Sequence, residues 1–194
     1  MGGRPRILLV DDRSENLVAL EAVLAPLEAE IVAVQSGEQA LAELATGDFA
    51  VVLLDVMMPE MGGFETAERI KHGPHNRDVP IIFLTAASTR PDFTFRGYNT
   101  GAVDYLAKPF DPWVLTAKVQ VFVDLHLKTT ERAEFLLRHV AMVEEAATRL
   151  AGIPAVAKDH DAEDTLAALF RGVGQLRDAL CAELGNDIGD QRAP

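Results

Sequence analysis

VVLLDVMMPEMGGFE, Val51 to Glu65, places four apolar residues, Val51 to Leu54, directly ahead of one carboxylate, Asp55. An unbroken apolar run of this length reads as a strand buried on both faces, the habit of parallel sheets. Pro59, Gly62 and Gly63 then mark a loop turning back towards a helix. A carboxylate at the tip of a buried strand is costly unless something pairs with it.

Working outward, the same unit recurs. Arg6–Val10 reads as a first strand ending at Asp11-Asp12, followed by a helix capped by Ser14 and carrying Leu17, Leu20, Val23, Leu24 and Leu27. Ile31–Val34 is a second strand, and Ser36 caps a helix with Ala40, Leu41 and Leu44 that stops at Gly47. Phe64–Lys71 is the third helix. After the polar loop HGPHNRDVP comes a fourth strand, Pro80–Leu84, ending at Thr85. A less regular helix starts at Pro91, with Phe93, Phe95, Gly97 and Tyr98. Val103–Ala107 is the fifth strand, followed by Lys108-Pro109, and Asp111-Pro112 opens the fifth helix. Five strands alternating with five helices through short connections predict an α/β, doubly wound parallel sheet. Ligands of such sheets bind beyond the carboxyl ends of the strands, where Asp11, Asp12, Asp55, Thr85 and Lys108 converge.

That convergence points to phosphoryl transfer. Three carboxylates in one crevice repel each other, and a hard cation bound through oxygens, Mg²⁺, relieves the repulsion. Lys108 adds a fixed positive charge and Thr85 a hydroxyl. Together they surround Asp55 with what a transferring phosphoryl group needs, Asp55 being the nucleophile that forms an aspartyl phosphate.

The composition sets limits. The 194 residues suit one ordinary domain with an extension, 48% are apolar and 25% charged, and the net charge of −12 argues against a nucleic-acid-binding body or attraction to anionic lipid. One cysteine, Cys181, excludes an internal disulfide and fits a reducing compartment. With no secretory signal and no membrane-spanning apolar run, a cytoplasmic location is expected.

ILLVDD at 7–12, LLDVMMPEMGGFE at 53–65, PIIFLTA at 80–86 and GAVDYLAKPF at 101–110 closely resemble the receiver domain of two-component response regulators. The resemblance covers roughly residues 5 to 125 and implies a flavodoxin-like sheet of order 2-1-3-4-5. It implies that Asp55 accepts a phosphoryl group from a sensor histidine kinase, and that the domain catalyses its own phosphorylation and dephosphorylation. Asp12, Asp55 and the Met57 carbonyl would ligate Mg²⁺, with Asp11 holding a metal-bound water. Lys108 would pair with the phosphoryl group, and its bond to Pro109 is cis in the family's pattern. Thr85 and Tyr105 resemble the switch pair. Met57 and Ala87 offer no hydrogen bond to an attacking water, so a phosphoryl state not primed for rapid self-hydrolysis is expected.

Residues 126–194 are expected to form a separate helical extension. A 4-3 repeat runs through Leu115, Val119, Phe122, His126, Thr129, Ala133, Leu136, Val140, Val143, Ala147 and Leu150, with no glycine or proline between Pro112 and Gly152. A second amphipathic helix, about Ala162 to Leu184, carries Leu166, Leu169, Phe170, Val173, Leu176, Leu180 and Leu184. A helical hairpin or coiled coil follows, and with it a homodimer and a contact with a downstream protein of unknown identity. Residues 129–194 hold 12 acidic and 7 basic residues, without a basic recognition helix, so no DNA partner is expected. An alternative reading makes the hairpin a histidine phosphotransfer-like or kinase-dimerisation-like module using His139 or His160. The other reading of the second helix folds it back on the receiver of its own chain.

Overall fold

A computed structural model describes residues 4–73, 77–86, 104–151 and 160–183. The helix expected from Pro91, Ala87, the break at Gly152–Pro154 and the tail after Leu184 lie outside the described residues. The chain divides into two compact units, Met1–Leu127 and Lys128–Pro194.

In the first unit, β1 (Arg6–Val10), β2 (Glu30–Val34), β3 (Val51–Asp55), β4 (Ile81–Ala86) and β5 (Asp104–Lys108) form one sheet of order β2-β1-β3-β4-β5, all neighbours parallel. The helices are α1 (Ser14–Leu24), α2 (Gly37–Thr46), α3 (Gly63–His72) and α4, which begins at Pro112 and runs to Ala151. Alternation along the strands divides the apolar residues between two cores, because successive side chains point to opposite faces. Leu8, Val10, Val52, Leu54, Ile81 and Phe83 face α2 and α3 through Ala40, Leu44, Ala67 and Ile70. Ile7, Leu9, Val51, Leu53, Ile82 and Leu84 face α1 and the first turns of α4 through Leu17, Leu20, Leu24, Leu115, Val119 and Val123. Cover on both faces is why the strands read as continuous apolar runs.

The helix ends follow local chemistry. Ser36 caps α2 as expected, accepting from the Gln39 N–H at 3.2 Å, and the Gly47 N–H closes the helix on the Glu43 carbonyl. Asp111 accepts from the Trp113 N–H at 2.8 Å where α4 begins. Ser14 is not the cap expected of it. Arg13 holds the cap position and its N–H is drawn to Asp11 instead, at 3.0 Å.

The second unit contains the later turns of α4 and a second helix, α5 (His160–Glu183). Eight residues separate them and reach at most about 29 Å. That is shorter than the roughly 36 Å of 24 helical residues, which excludes a parallel return. The cover of Ala133, Val140 and Ala147 along α4 requires α5 to lie lengthwise against it, so α5 runs back antiparallel. The two helices pack together, with Ala133, Val140 and Ala147 of α4 and Leu180 of α5 buried. Within this unit only one column of the expected repeat is covered. Ala133, Val140 and Ala147 are inside, but Thr129, Leu136, Val143 and Leu150 are exposed, and Thr130, Leu137 and Glu144 take their places at the packed face. Glu144 is held there by Arg177 of α5 at 3.0 Å. His126, in the first unit, stands with Nε2 3.7 Å from Asp48 Oδ2.

Candidate functional site

The sheet brings Asp11, Asp55 and Lys108 into one hydrogen-bonded group at the carboxyl ends of β1, β3 and β5. Asp11 follows the last residue of β1 and is completely buried. Its Oδ1 accepts from the Arg13 N–H at 3.0 Å and from Asn16 Nδ2 at 2.7 Å, and its Oδ2 from Asn16 Nδ2 at 2.9 Å and Lys108 Nζ at 2.7 Å. Asp55, the last residue of β3, is 7% exposed. Its Oδ1 accepts from Lys108 Nζ at 2.6 Å and its Oδ2 from the Met57 N–H at 2.8 Å. Asn16 was not singled out by sequence. Its signal is position: an amide one turn into the helix that follows the acidic pair.

One ammonium thus serves two carboxylates. Burial pushes the Asp55 carboxyl above its ordinary range and Asp11's charge adds to that, against the opposing pull of Lys108 and the Met57 N–H. Burial works against the charge on Lys108, but the hydrogen bonds it donates to Asp11 and Asp55, and their charge, outweigh it and hold the ammonium above the usual lysine range. The net result is a buried excess of negative charge.

The loop after β3 is shaped by a close approach. A Cβ on Gly63 would lie 2.1 Å from the Asp55 carbonyl oxygen, so only glycine lets α3 start against the end of β3. Glu60 in this loop has φ of 60°, the left-handed region rarely adopted by non-glycine residues. The Lys108–Pro109 bond is cis.

Of the other residues singled out, Thr85 is half-buried on β4, in register with Ala107. Tyr105 is half-buried on β5, its ring 5.3 Å from that of Phe83, which meets Phe64 edge-on. Asp12 and Met57 are exposed. His139 is an exposed side chain of α4 whose ring lies against Phe135. The His160 side chain lies outside the described residues.

Comparison with known proteins decides the family. Residues 7–120 match the family described as the response regulator receiver domain. The chain belongs to that family.

Among curated relatives, this receiver chain is 38% identical over 146 residues to the "Probable cyclic di-GMP phosphodiesterase" of Vibrio cholerae, covering 75% of the chain and 32% of the relative. It is 37% identical over 150 residues to response regulator PleD of Caulobacter vibrioides, covering 76% and 33%. The sensor histidine kinase GacS of Pseudomonas protegens matches 94% of the chain at 31% identity, over 20% of its own length. The chain therefore spans a third or less of these relatives. Among solved structures, chemotaxis protein CheY4 of Vibrio cholerae has 29% identity and a TM-score of 0.57, covering 62% of this chain and 99% of its own. DrrB of Thermotoga maritima has 31% identity and a TM-score of 0.55, covering 63% and 54%. The receiver's general chemistry is two-component phosphorelay signalling.

The donor set fits a hard divalent cation. It consists of oxygens, it carries the uncompensated negative charge just described, and Asp12 stands exposed beside Asp11. Among the described residues, however, no three carboxylate, imidazole or thiolate groups are gathered into a metal-holding cluster. Asp11 and Asp55 meet on Lys108 instead, which satisfies in part the same electrostatic need. No helix among the described residues is long and apolar enough to cross a membrane.

Proposed function

We propose that this receiver accepts a phosphoryl group on Asp55 from a sensor histidine kinase. A carboxylate oxygen of Asp55 attacks phosphorus, the N–P bond of the phosphohistidine breaks, and a mixed anhydride forms. The observation that supports this most directly is the Lys108 ammonium 2.6 Å from Asp55 Oδ1, at a strand end where the carboxylate is not fully enclosed. There Lys108 balances charge on the nucleophile and then on the phosphoryl oxygens. Asn16 and the Arg13 N–H hold Asp11 in place, and Gly63 allows the loop that aims the Met57 N–H at Asp55. Asp12, Asp55 and the Met57 carbonyl would hold Mg²⁺, with Asp11 behind them, and the ion would supply neutralising charge to the transferring group. Thr85 and Tyr105 carry the signal away from the site. Exposed Met57 leaves no hydrogen-bonding side chain to position a hydrolytic water, which favours a slowly decaying phosphoryl state.

The domain division we adopt is a receiver to about residue 125 and an output hairpin beyond it. The output is a protein contact without DNA, with homodimerisation through the hairpin. Incubation with acetyl phosphate and Mg²⁺ tests the phosphoacceptor. One phosphoryl mass increment, lost on alkaline treatment and absent in Asp55→Asn, is expected. Acid-labile, base-stable label surviving in Asp55→Asn would place the phosphate on a histidine and overturn the proposal.

A further inference from the structure

The hairpin covers one side of each helix and leaves a second apolar side bare. On α4, Phe135, Leu136, Met142, Val143 and Leu150 are all exposed, Met142 by 64%. Their spacings of one, six, one and seven residues keep them on one side of a 3.6-residue helix, displaced on average about 100° from Ala133, Val140 and Ala147. On α5, Leu169 and Leu176 are exposed and stand displaced in the same sense from Leu166, Val173 and Leu180. Displacement of the same hand on two antiparallel helices puts both bare stripes on the same side of the hairpin, the α5 stripe at about half the angle of the α4 stripe. The result is one continuous apolar surface.

Its size argues for an occupant. Seven large exposed apolar side chains amount to on the order of 600 Å², the upper end of what a monomer leaves in one patch. A stable protein interface buries about 800 Å² per partner, so this surface with its rim suffices.

Gly172 is a second and independent observation. It lies in the middle of α5 between Leu169 and Leu176, where glycine costs a helix about 1 kcal/mol relative to alanine. Among the described residues nothing within 4 Å would meet a Cβ there, so their packing gives no reason for it. A glycine on an exposed apolar stripe suits the close approach of another helix.

The area indicates what that helix belongs to: a two-fold rotation lays this stripe on the same stripe of a second copy, and each copy then contributes a patch of the size a stable interface needs.

We propose that the hairpin binds a second copy of this chain through this bare side, forming an antiparallel four-helix bundle with Gly172 at the closest helix approach. The inference rests on the homodimer reading above and names its surface. The face used is the exposed column containing Leu136 and Val143, and the column of Ala133 and Val140 serves the hairpin itself.

Sedimentation of the full chain tests it, from sub-micromolar to 100 µM, with and without Mg²⁺ and beryllofluoride. Wild type should reach twice the 21.0 kDa chain mass in at least one state. Leu136→Glu/Val143→Glu should be monomeric throughout with unchanged helical circular dichroism, and Gly172→Leu should weaken the dimer at least tenfold without loss of helix. In a Cys181→Ser background, Arg132→Cys paired with Ala146→Cys should cross-link between copies, whereas Arg132→Cys alone should not. A wild-type monomer under every condition defeats the homodimer reading altogether. A wild-type dimer that survives both the double glutamate and the Gly172→Leu changes keeps that reading and overturns this surface. Cross-linking of Arg132→Cys alone overturns the antiparallel arrangement.

Discussion

At the scale of single residues, the site is dominated by an imbalance. Two buried carboxylates share one ammonium, and the carboxyl of Asp55 is pushed up mainly by burial and then by Asp11. A carboxyl more easily protonated in the folded protein than in the unfolded chain weakens the fold once it ionises. Without Mg²⁺, Asp55→Asn should therefore be the more stable protein at pH 7, by about 0.5–2 kcal/mol, the usual gain on relieving a functional site. The gain is fully present above the raised folded-state pKa. It shrinks as the pH falls towards 3.8, where wild type takes up the proton and loses its penalty. Urea midpoints from pH 7 downwards measure this. A less stable Asn variant at pH 7 would mean that Lys108's attraction outweighs the burial. The same reasoning makes Mg²⁺ raise the wild-type midpoint and leave that of the Asn variant nearly unmoved.

At the scale of elements, two junctions control how the parts meet. The first is the start of α3 against the end of β3. Gly63→Ala would set a Cβ against the Asp55 carbonyl at 2.1 Å, and backbone cannot yield as a side chain can. We expect a loss of roughly 1–3 kcal/mol, as for other overpacked positions, and a slower phosphorylation by acetyl phosphate. An unaltered midpoint and rate would show that α3 shifts freely. The second junction is Glu144 with Arg177, the ion pair joining the hairpin's helices. Both groups retain solvent contact, so a double-mutant cycle with alanine should give a coupling of only about 0.5 kcal/mol. A coupling near zero would leave the pair no part in setting how the helices align.

At the scale of the molecule, the first unit holds its own cores on both sides of the sheet, including Leu115, Val119 and Val123 from the first turns of α4. A chain ending after Leu127 keeps all three. It should unfold in one cooperative transition and accept phosphoryl from acetyl phosphate at a rate within a few fold of the full chain. A non-cooperative melt would show that the cores need the second unit.

Much of the fold was legible in the sequence because strands buried on both faces carry a plain signal, and because each candidate site residue stands where such a strand leaves the core. Asp11, Asp55 and Lys108 were identifiable by residue type and position alone. The reach of Lys108 to both carboxylates was not, since it joins groups 53 and 97 residues apart. Nor were the brace from Asn16 and the cap position of α1 at Arg13 in place of Ser14, which depend on how the loop after β1 turns. The helical extension shows the same division. A 4-3 repeat establishes that α4 has apolar columns, and local periodicity suffices for that. Which column faces α5 depends on how a second helix and the Glu144–Arg177 pair settle against it, a contact between chain segments that periodicity does not encode.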